Sequence, residues 1–310
     1  MSEDASRHLG LDLGATNIKW AVVEHAGDDW RTLDSGQTPT HAAEGPEAVV
    51  GRLGEVGRTV ISAWPGVISI GLGVPGLYDA ETGATRFLPN VPGEWVGRSV
   101  AQPLAARLNV PAFLINDARA FGLAELRLGA GRGVASMVGL VLGTGVGGFV
   151  AVDGRVHQGH DGTAGEVGHQ TIDPEGPACG CGSRGCLEAF ARASRIAAAC
   201  GTATAEEAVT AARAGDERAL AGLAEIGRYL GIGIANLIVV LTPDRVVIGG
   251  GVAAAGDLLL GPIAHEVRDR VRTTDLEQVE IVTAELGTWA GAIGAAVHGA
   301  ERAGPGGSAT

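Results

Sequence analysis

A strand–turn–strand pattern that occurs twice is the feature that most constrains how this chain can fold. Residues 10–16 read GLDLGAT and residues 139–145 read GLVLGTG, so the two copies lie 129 positions apart. In each copy an apolar run leads into a small-residue turn and a second β-rich run, which predicts a hairpin. The spacing is too long for a solenoid repeat and predicts two copies of one α/β unit. Asp12 aligns with Val141, so we expect two similar halves that hold one ligand asymmetrically.

Apolar runs and helical spacing predict the elements that follow each hairpin. The first half is expected to contain helices over 44–63, 99–108 and 118–128, strands over 67–74 and 112–115, and a loop over 79–98. Ser99 is a candidate cap for the second helix, and Gly129 ends the third. The second half is expected to contain a long core helix over 220–238, strands in DRVVIGGGVA and VEIVTA, and a closing helix over 289–300.

The chain of 310 residues is long enough for two lobes. We predict a small N-terminal lobe at 1–117 and a large C-terminal lobe at 118–288. The closing helix, which extends to about 303, is expected to pack on the small lobe. The Gly-rich end at 304–310 is expected to be disordered.

Charge and hydropathy limit the kinds of binding partner that are expected for this chain. Lys and Arg number 23 against 35 Asp and Glu, a net charge of −12 without a basic block, which argues against a nucleic-acid or membrane partner. The first residues, MSEDASRH, lack the apolar segment of a signal peptide, and no apolar run is long enough to span a membrane. A cytoplasmic, reducing location is therefore expected, where clustered cysteines indicate a metal more than disulfides.

Residues 166–188, EVGHQTIDPEGPACGCGSRGCLE, hold three of the four cysteines. Cys179, Cys181 and Cys186, together with His169, form a donor set typical of structural zinc. Two alternatives are that Cys200 replaces His169 as the fourth ligand and that no metal binds. Glu166 and Glu188 flank the set, so they are either surface charges or ligand-binding carboxylates that the metal loop holds in place.

Two Gly-rich turns are candidates for phosphate binding. Asp12 lies beside the turn Gly14–Asn17, where free N–H groups can meet phosphate oxygens and a carboxylate can hold Mg²⁺. The alternative is an ordinary hairpin. The second turn, GTGVGG at 143–148, contains GxGxxG, but a strand follows it rather than a helix, which disfavours dinucleotide binding. The chain lacks GxxxxGK[ST], which excludes the P-loop class.

Asn116 and Asp117 end a predicted strand. Asp117 is the best candidate for a general base that accepts the proton of a substrate hydroxyl, with Asn116 orienting the same substrate. The alternative is structural, because an aspartate before Ala118 is also a good N-cap for the next helix.

These motifs, in this order, resemble the ROK family (repressor, open reading frame, kinase). The residues that carry the resemblance are DLGATN, GVPG at 73–76, NDA at 116–118, LGTGVGG, EVGH, CGCGSRGCLEA and IGGGV, and they cover nearly the whole chain. The resemblance implies the α/β class, with the duplicated actin/hexokinase/Hsp70-like ATPase fold and two lobes around a cleft. It also implies either an ATP-dependent sugar kinase or a repressor with an added winged helix. Asp12 lies too close to the start of the sequence to leave room for such a domain, which favours the kinase.

The resemblance implies a role for each motif. Asp117 would be the catalytic base. The sugar would be bound by Gly76, Asn90, Asn116, Asp117, Glu166, His169 and Glu188, with His169 also on zinc. ATP and Mg²⁺ would be bound by Asp12, Gly14, Thr16, Asn17, Gly143, Thr144 and Gly145, with Gly249, Gly250 and Gly251 near the adenosine. The first turn reads GATN where the family often has GGTK, so a lysine near the phosphates is missing.

The expected function is therefore ATP-dependent phosphorylation of the 6-hydroxyl of a hexose, first of all glucose, by a cytoplasmic homodimer or homotetramer. An N-acetylhexosamine or another hexose is the alternative substrate. A sugar-sensing regulatory protein without a DNA-binding domain is the alternative from another class, and such a sensor could lose Asp117 or the phosphate turns. Both are intact in this chain.

Overall fold

The hairpin predicted at the start of the chain forms the centre of a five-stranded sheet. The computed structural model describes residues 5–79 and 82–304, which divide into two compact units. The first unit comprises the described residues up to Gly129, together with Gln158–Thr163 and those from Thr288 onward. Its main elements are β1 (Ser6–Leu13), β2 (Asn17–Ala26), β3 (Asp29–Pro39), α1 (Pro46–Ala63), β4 (Val67–Val74), β5 (Leu77–Tyr78), β6 (Thr85–Phe87), α2 (Ala101–Leu108), β7 (Ala112–Asn116) and α3 (Asp117–Leu128).

The second unit comprises Ala130–His157 and Ala164–Gly287. Its elements are β8 (Met137–Leu142), β9 (Val146–Val152), β10 (Arg155–Val156), α4 (Leu187–Ala191), α5 (Ala193–Cys200), α6 (Ala205–Arg213), α7 (Glu217–Leu241), β11 (Arg245–Gly250), α8 (Asp257–Arg270) and β12 (Glu280–Thr283).

The two sheets have the same topology, which confirms the predicted duplication. The strand orders are β3-β2-β1-β4-β7 and β10-β9-β8-β11-β12. Each sheet starts from an antiparallel hairpin, β1–β2 or β8–β9, and adds parallel strands on the side of the hairpin's first strand. The segments GLDLGAT and GLVLGTG therefore occupy the same place in their respective units.

The last helix, α9 (Ala290–Ala303), packs on β1 and β4 of the first unit. Two strand glycines make this close approach possible. A Cβ atom on Gly10 would lie 1.8 Å from the carbonyl oxygen of Ala292, and one on Gly71 would lie 1.6 Å from that of Ala295. A side chain at either position would push the helix off the sheet.

The core of the second unit is organised around α7, as the 3–4 spacing of its apolar residues predicts. Leu223, Leu230 and Ile234 are fully buried, and the helix packs against α5, α6 and α8. Among the described residues, α7 is the one helix long and apolar enough to cross a membrane. Half of its most apolar window is buried inside the unit, as in the core helix of a soluble protein, so its length is weak evidence for a membrane span.

Most predicted elements are confirmed, and two details are corrected. Helix α2 begins at Ala101 with Val100 at the N-cap, so Ser99 does not cap it; the Ser99 hydroxyl is buried and has no hydrogen-bond partner among the described residues. The predicted loop at 79–98 contains the short strand β6, which pairs with β5. Of the end predicted to be disordered, residues 305–310 lie outside the described residues.

Candidate active site and metal site

The first Gly-rich turn is fixed by the segment that follows β3. Within the turn, the N–H of Gly14 donates to the carbonyl of Asn17 over 3.0 Å. Thr40 then donates twice, from its hydroxyl to the carbonyl of Gly14 (2.7 Å) and from its N–H to the carbonyl of Thr16 (2.8 Å). Sequence reasoning missed Thr40, because no local pattern links it to a turn that lies more than twenty positions earlier.

Asp12, at the end of β1, lies close to two glycines. A Cβ atom on Gly291 would be 2.6 Å from Asp12 Oδ2, and one on Gly73 would be 3.3 Å from Oδ1. Burial raises the pKa of Asp12 to about 6, against a smaller lowering by the Lys19 charge. Burial therefore makes the ionised form of Asp12 energetically costly, and a bound cation would offset that free-energy cost.

Asn116, Asp117 and Gly76 are brought together at the end of β7. The amide of Asn116 donates to the carbonyl of Gly76 over 3.0 Å, and Asp117 is the first residue of α3. Gly76 has φ 83°, and a Cβ there would lie 2.2 Å from the carbonyl oxygen of Phe87, so only glycine fits. Asn90 lies two residues beyond Leu88, in a left-handed conformation with φ 65°.

The structural alternative for Asp117 needs a correction, because the N-cap of α3 is Asn116. Its side-chain oxygen accepts the N–H groups of Ala118 and Arg119 at 3.0 and 3.2 Å. Asp117 Oδ1 accepts the N–H of Ala118 at 2.8 Å, and its side chain is only half-buried. The cap leaves Asp117 in the first turn of α3, at the positive end of the helix dipole.

In the second unit, the other Gly-rich turn lies next to the predicted adenosine glycines. Gly143 follows β8, and in the adjacent strand Gly250 pairs with Leu142. Gly250 has φ 92°, and a Cβ there would be 2.0 Å from the carbonyl oxygen of Leu142. The parallel pairing of β8 with β11 therefore brings Gly143–Gly145 and Gly249–Gly251 to the same end of the sheet.

The predicted zinc ligands form one cluster. The donor atoms of His169, Cys179, Cys181 and Cys186 all lie within 4.8 Å of one another. Cys181 and Cys186 Sγ are 3.8 Å apart, and Cys179 Sγ is 3.7 Å from His169 Nδ1. A tetrahedral zinc with bonds of about 2.3 Å separates two thiolates by about 3.8 Å, so the donor set and its spacing fit this metal. Cys200 lies apart in α5, where its sulfur contacts the carbonyl of Ala219.

Two glutamates, Glu166 and Glu188, flank the segment that carries the predicted zinc ligands (the predicted zinc loop), and both are half-buried. Glu166 precedes the short 3-10 turn Val167–His169, and its carbonyl accepts the N–H of His169 at 3.0 Å. Glu188 lies in the first turn of α4, two residues after Cys186, with Oε1 3.6 Å from Cys179 Sγ. The two glutamates therefore lie at the two ends of the segment that carries the donor set.

The comparisons with known proteins decide the family. The sequence profile of the ROK family matches residues 8–300. This chain belongs to the ROK family. A glucokinase of Thermotoga maritima is 36% identical over 96% of this chain and 98% of its own length.

Two solved ROK structures show how far the fold is shared. A ROK hexokinase from Thermus thermophilus has 36% identity and a TM-score of 0.80, and covers 96% of this chain and 98% of its own. A ROK family glucokinase from Streptomyces griseus, solved in complex with glucose and AMPPNP, has 28% identity and a TM-score of 0.80 over 96% of this chain and 100% of its own. The fold of this ROK protein is therefore the actin/hexokinase-like ATPase fold predicted from its motifs.

Proposed function

We propose that this ROK protein is an ATP-dependent hexose kinase that transfers a phosphoryl group to the 6-hydroxyl of a hexose, most of all glucose. The observation that carries the proposal is Asp117, a half-buried carboxylate at the N-terminus of α3, the helix that Asn116 caps. A second support is the sequence similarity to a glucokinase, which extends over 96% of this chain.

Asp117 is assigned the role of general base. Its carboxylate would accept the proton of the 6-hydroxyl as that oxygen attacks the γ-phosphorus, and a positioned general base contributes about 10²- to 10⁴-fold in rate. Asn116 already bonds Gly76 and the start of α3, so its assigned contact to a ring hydroxyl would come from a group that the fold holds rigid. Glu166, His169 and Glu188 are assigned to the remaining ring hydroxyls, and Gly76 and Asn90 to the pocket wall.

The two Gly-rich turns and Asp12 are assigned to MgATP. Backbone N–H groups of Gly14–Thr16 and Gly143–Gly145 would meet phosphate oxygens, and Gly249–Gly251 would lie near the adenosine. Mg²⁺ would neutralise part of the charge on the phosphates. Asp12, Asn17 and the turn that Thr40 fixes would orient the metal–nucleotide complex.

The cluster of His169 with three cysteines is assigned to a structural zinc. Four protein donors leave no open position on a tetrahedral ion, so the metal would shape the loop rather than take part in catalysis. Burial raises the pKa of Cys179 to about 12, so a nearby cation is needed to keep that thiol deprotonated near neutral pH. A cytoplasmic homodimer or homotetramer remains a prediction from the family.

A coupled assay tests the proposed function. Purified protein is given ATP and Mg²⁺ with a panel of glucose, mannose, allose, N-acetylglucosamine and N-acetylmannosamine, and ADP release is followed. The highest kcat/KM is expected for glucose. A preference for an N-acetylhexosamine would assign the alternative substrate. Sugar binding without turnover on any member of the panel would favour the sugar sensor.

A further inference from the structure

Glu188 does more in the structure than flank the zinc loop, because its carboxylate also holds the second Gly-rich turn. Oε2 of Glu188 accepts the N–H of Val146, 42 positions earlier in the chain, over 3.0 Å. The same oxygen would lie 2.3 Å from a Cβ atom on Gly145. The carboxylate therefore occupies the space that a side chain at position 145 would need.

Two further contacts join this turn to the segments beside Glu188. The N–H of Ala193, at the start of α5, donates to the carbonyl of Gly143 over 2.9 Å. Gly168, which precedes the predicted zinc ligand His169, lies so close that a Cβ there would be 1.9 Å from the carbonyl oxygen of Val146. Residues 143–146 are thus held by Glu188, by α5 and by the 3-10 turn that carries His169.

These bonds also determine which groups of the turn can meet a ligand. The N–H of Gly143 donates to the carbonyl of Gly145 over 2.9 Å, and the N–H of Val146 donates to Glu188. Thr144 and Gly145 lie between these two bonded positions. A bond from a backbone N–H to a carboxylate is charge-assisted and stronger than a neutral one, so it fixes the turn firmly.

We propose that Glu188 is a positioning residue for the nucleotide, in addition to its assigned sugar contact. It fixes the Gly143–Val146 turn in the conformation in which Thr144 and Gly145 present their N–H groups to phosphate. The proposal rests on the kinase function given above. It implies that the zinc loop supports phosphate binding through Glu188 as well as sugar binding.

Nucleotide binding without sugar separates the two roles of Glu188. Isothermal titration of the full-length protein with MgATP, in the absence of any hexose, is compared for wild type, Glu188→Ala, Glu188→Gln and Glu175→Ala. Glu188→Ala is expected to bind MgATP about tenfold more weakly, because the bond to Val146 is lost. Glu188→Gln keeps an acceptor oxygen and should lose no more than about threefold. Glu175 is an exposed acid of the same loop, so Glu175→Ala should match wild type.

A double-mutant cycle tests the contact itself. Gly145→Ala would force the carboxylate away from the turn, so it should weaken MgATP binding by a similar factor. If both changes act by breaking the same bond, Gly145→Ala combined with Glu188→Ala should bind little worse than either single variant. Zinc content and thermal unfolding are measured for every variant, and each is expected to retain wild-type zinc.

The outcomes are distinct. Failure of the wild type to bind MgATP would contradict the kinase function on which the proposal rests. Wild-type binding with an unchanged affinity in Glu188→Ala would leave the kinase function intact and overturn the positioning role. Full additivity of the two changes would also overturn it. Weakened binding in Glu188→Ala with rescue in Glu188→Gln, unchanged zinc content and a non-additive cycle supports it.

Discussion

Asn116 and Asp117 are neighbours in sequence, and the structure gives them different tasks. The Asn116 side chain caps α3 and bonds the carbonyl of Gly76, whereas Asp117 keeps a half-buried carboxylate at the same helix end. The structural interpretation therefore belongs to Asn116, and the catalytic interpretation of Asp117 stays a prediction. The sequence alone could not assign them, because aspartate and asparagine are nearly equal as N-caps.

Replacement of Asp117 by asparagine is expected to stop phosphoryl transfer while sugar still binds. The amide keeps an oxygen for the N–H of Ala118 but cannot accept the proton of a substrate hydroxyl, so kcat should fall by at least about 10²-fold. Steady-state kinetics and a sugar-binding titration check this. Asp28→Asn, at an exposed turn of the same unit, is the control and should leave both quantities unchanged. Near-normal turnover of Asp117→Asn would remove Asp117 from the mechanism.

At the level of secondary-structure elements, two features depend on which side chains are present: the Cys/His loop and the contact between α9 and the sheet of the first unit. The loop has little regular structure, and it brings four donor atoms from four separate positions within 4.8 Å of one another. The contact between α9 and the sheet needs the absence of side chains at Gly10 and Gly71. Each feature leads to a prediction with a matched control.

Cys181→Ser is expected to lose the zinc that the wild type binds. A serine hydroxyl is a poor zinc ligand, and three remaining donors cannot close the tetrahedral shell. Metal analysis of protein purified without chelators should find about one zinc per wild-type chain. Cys200→Ala is the control, because Cys200 lies outside the cluster, and it should keep its metal. A wild type without zinc would contradict the site, and loss of zinc from Cys200→Ala would favour the alternative ligand set.

Gly71→Ala is expected to destabilise the fold strongly. The new Cβ would lie 1.6 Å from the backbone oxygen of Ala295, so α9 would have to move, at a cost of about 2 to 3 kcal/mol in the free energy of unfolding. Urea denaturation measures the loss. Gly261→Ala in α8 is the control, since a Cβ there meets no atom of the described part of the chain within 4 Å and alanine favours the helix by up to about 1 kcal/mol. Equal stability of the two variants would mean that α9 does not pack as described.

At the scale of the whole molecule, stability should fall as the pH is lowered, because two histidines are buried in the neutral form. Burial, together with the charge of His25, lowers the pKa of His8 to about 4, while both ring nitrogens contact serine hydroxyls at 2.7 and 2.9 Å. Burial, followed by the charge of Arg302, lowers the pKa of His298 to about 4. The same groups take up protons near pH 6.5 once the chain unfolds.

The sign of the effect follows from proton uptake. Between about pH 6.5 and about pH 4 the unfolded chain binds more protons at these histidines than the folded protein does, so each lowers the unfolding free energy by about 1 kcal/mol per pH unit. Asp12 acts in the opposite direction below about pH 6, because its raised pKa makes the folded protein the better proton acceptor. The two histidines together change the unfolding free energy by more than Asp12 does, so a net loss of stability is expected as the pH falls.

Urea denaturation at about pH 7 and about pH 5 measures this loss. His298→Gln should reduce the pH dependence, because it removes one of the two buried titrating groups. His265→Gln is the control on the exposed face of α8 and should leave the pH dependence as it is in the wild type. Equal unfolding free energies of the wild type at the two pH values would contradict the burial of neutral histidines.

Family membership also belongs to the scale of the whole molecule. The match to the ROK profile over residues 8–300 and the shared topology of the two sheets agree with the duplication inferred from two seven-residue segments. The predicted lobe boundary at 117 remains a prediction. The described contacts place α3 in the first unit, where it packs against α9.

Features encoded by residues that are close together along the chain could be predicted without the structure. The two hairpins, the core helix α7 and the cluster of one histidine with three cysteines follow from alternation, 3–4 spacing and the separation of cysteines, which are local patterns. Tertiary structure alone decided which distant residues complete each turn. Thr40 bonds the turn at Gly14, and Glu188 bonds Val146 from 42 positions away. A hydrogen bond between distant segments forms only where the folded chain brings the two groups together. The separation of such residues along the sequence follows no periodic pattern, so it could not be read from the sequence.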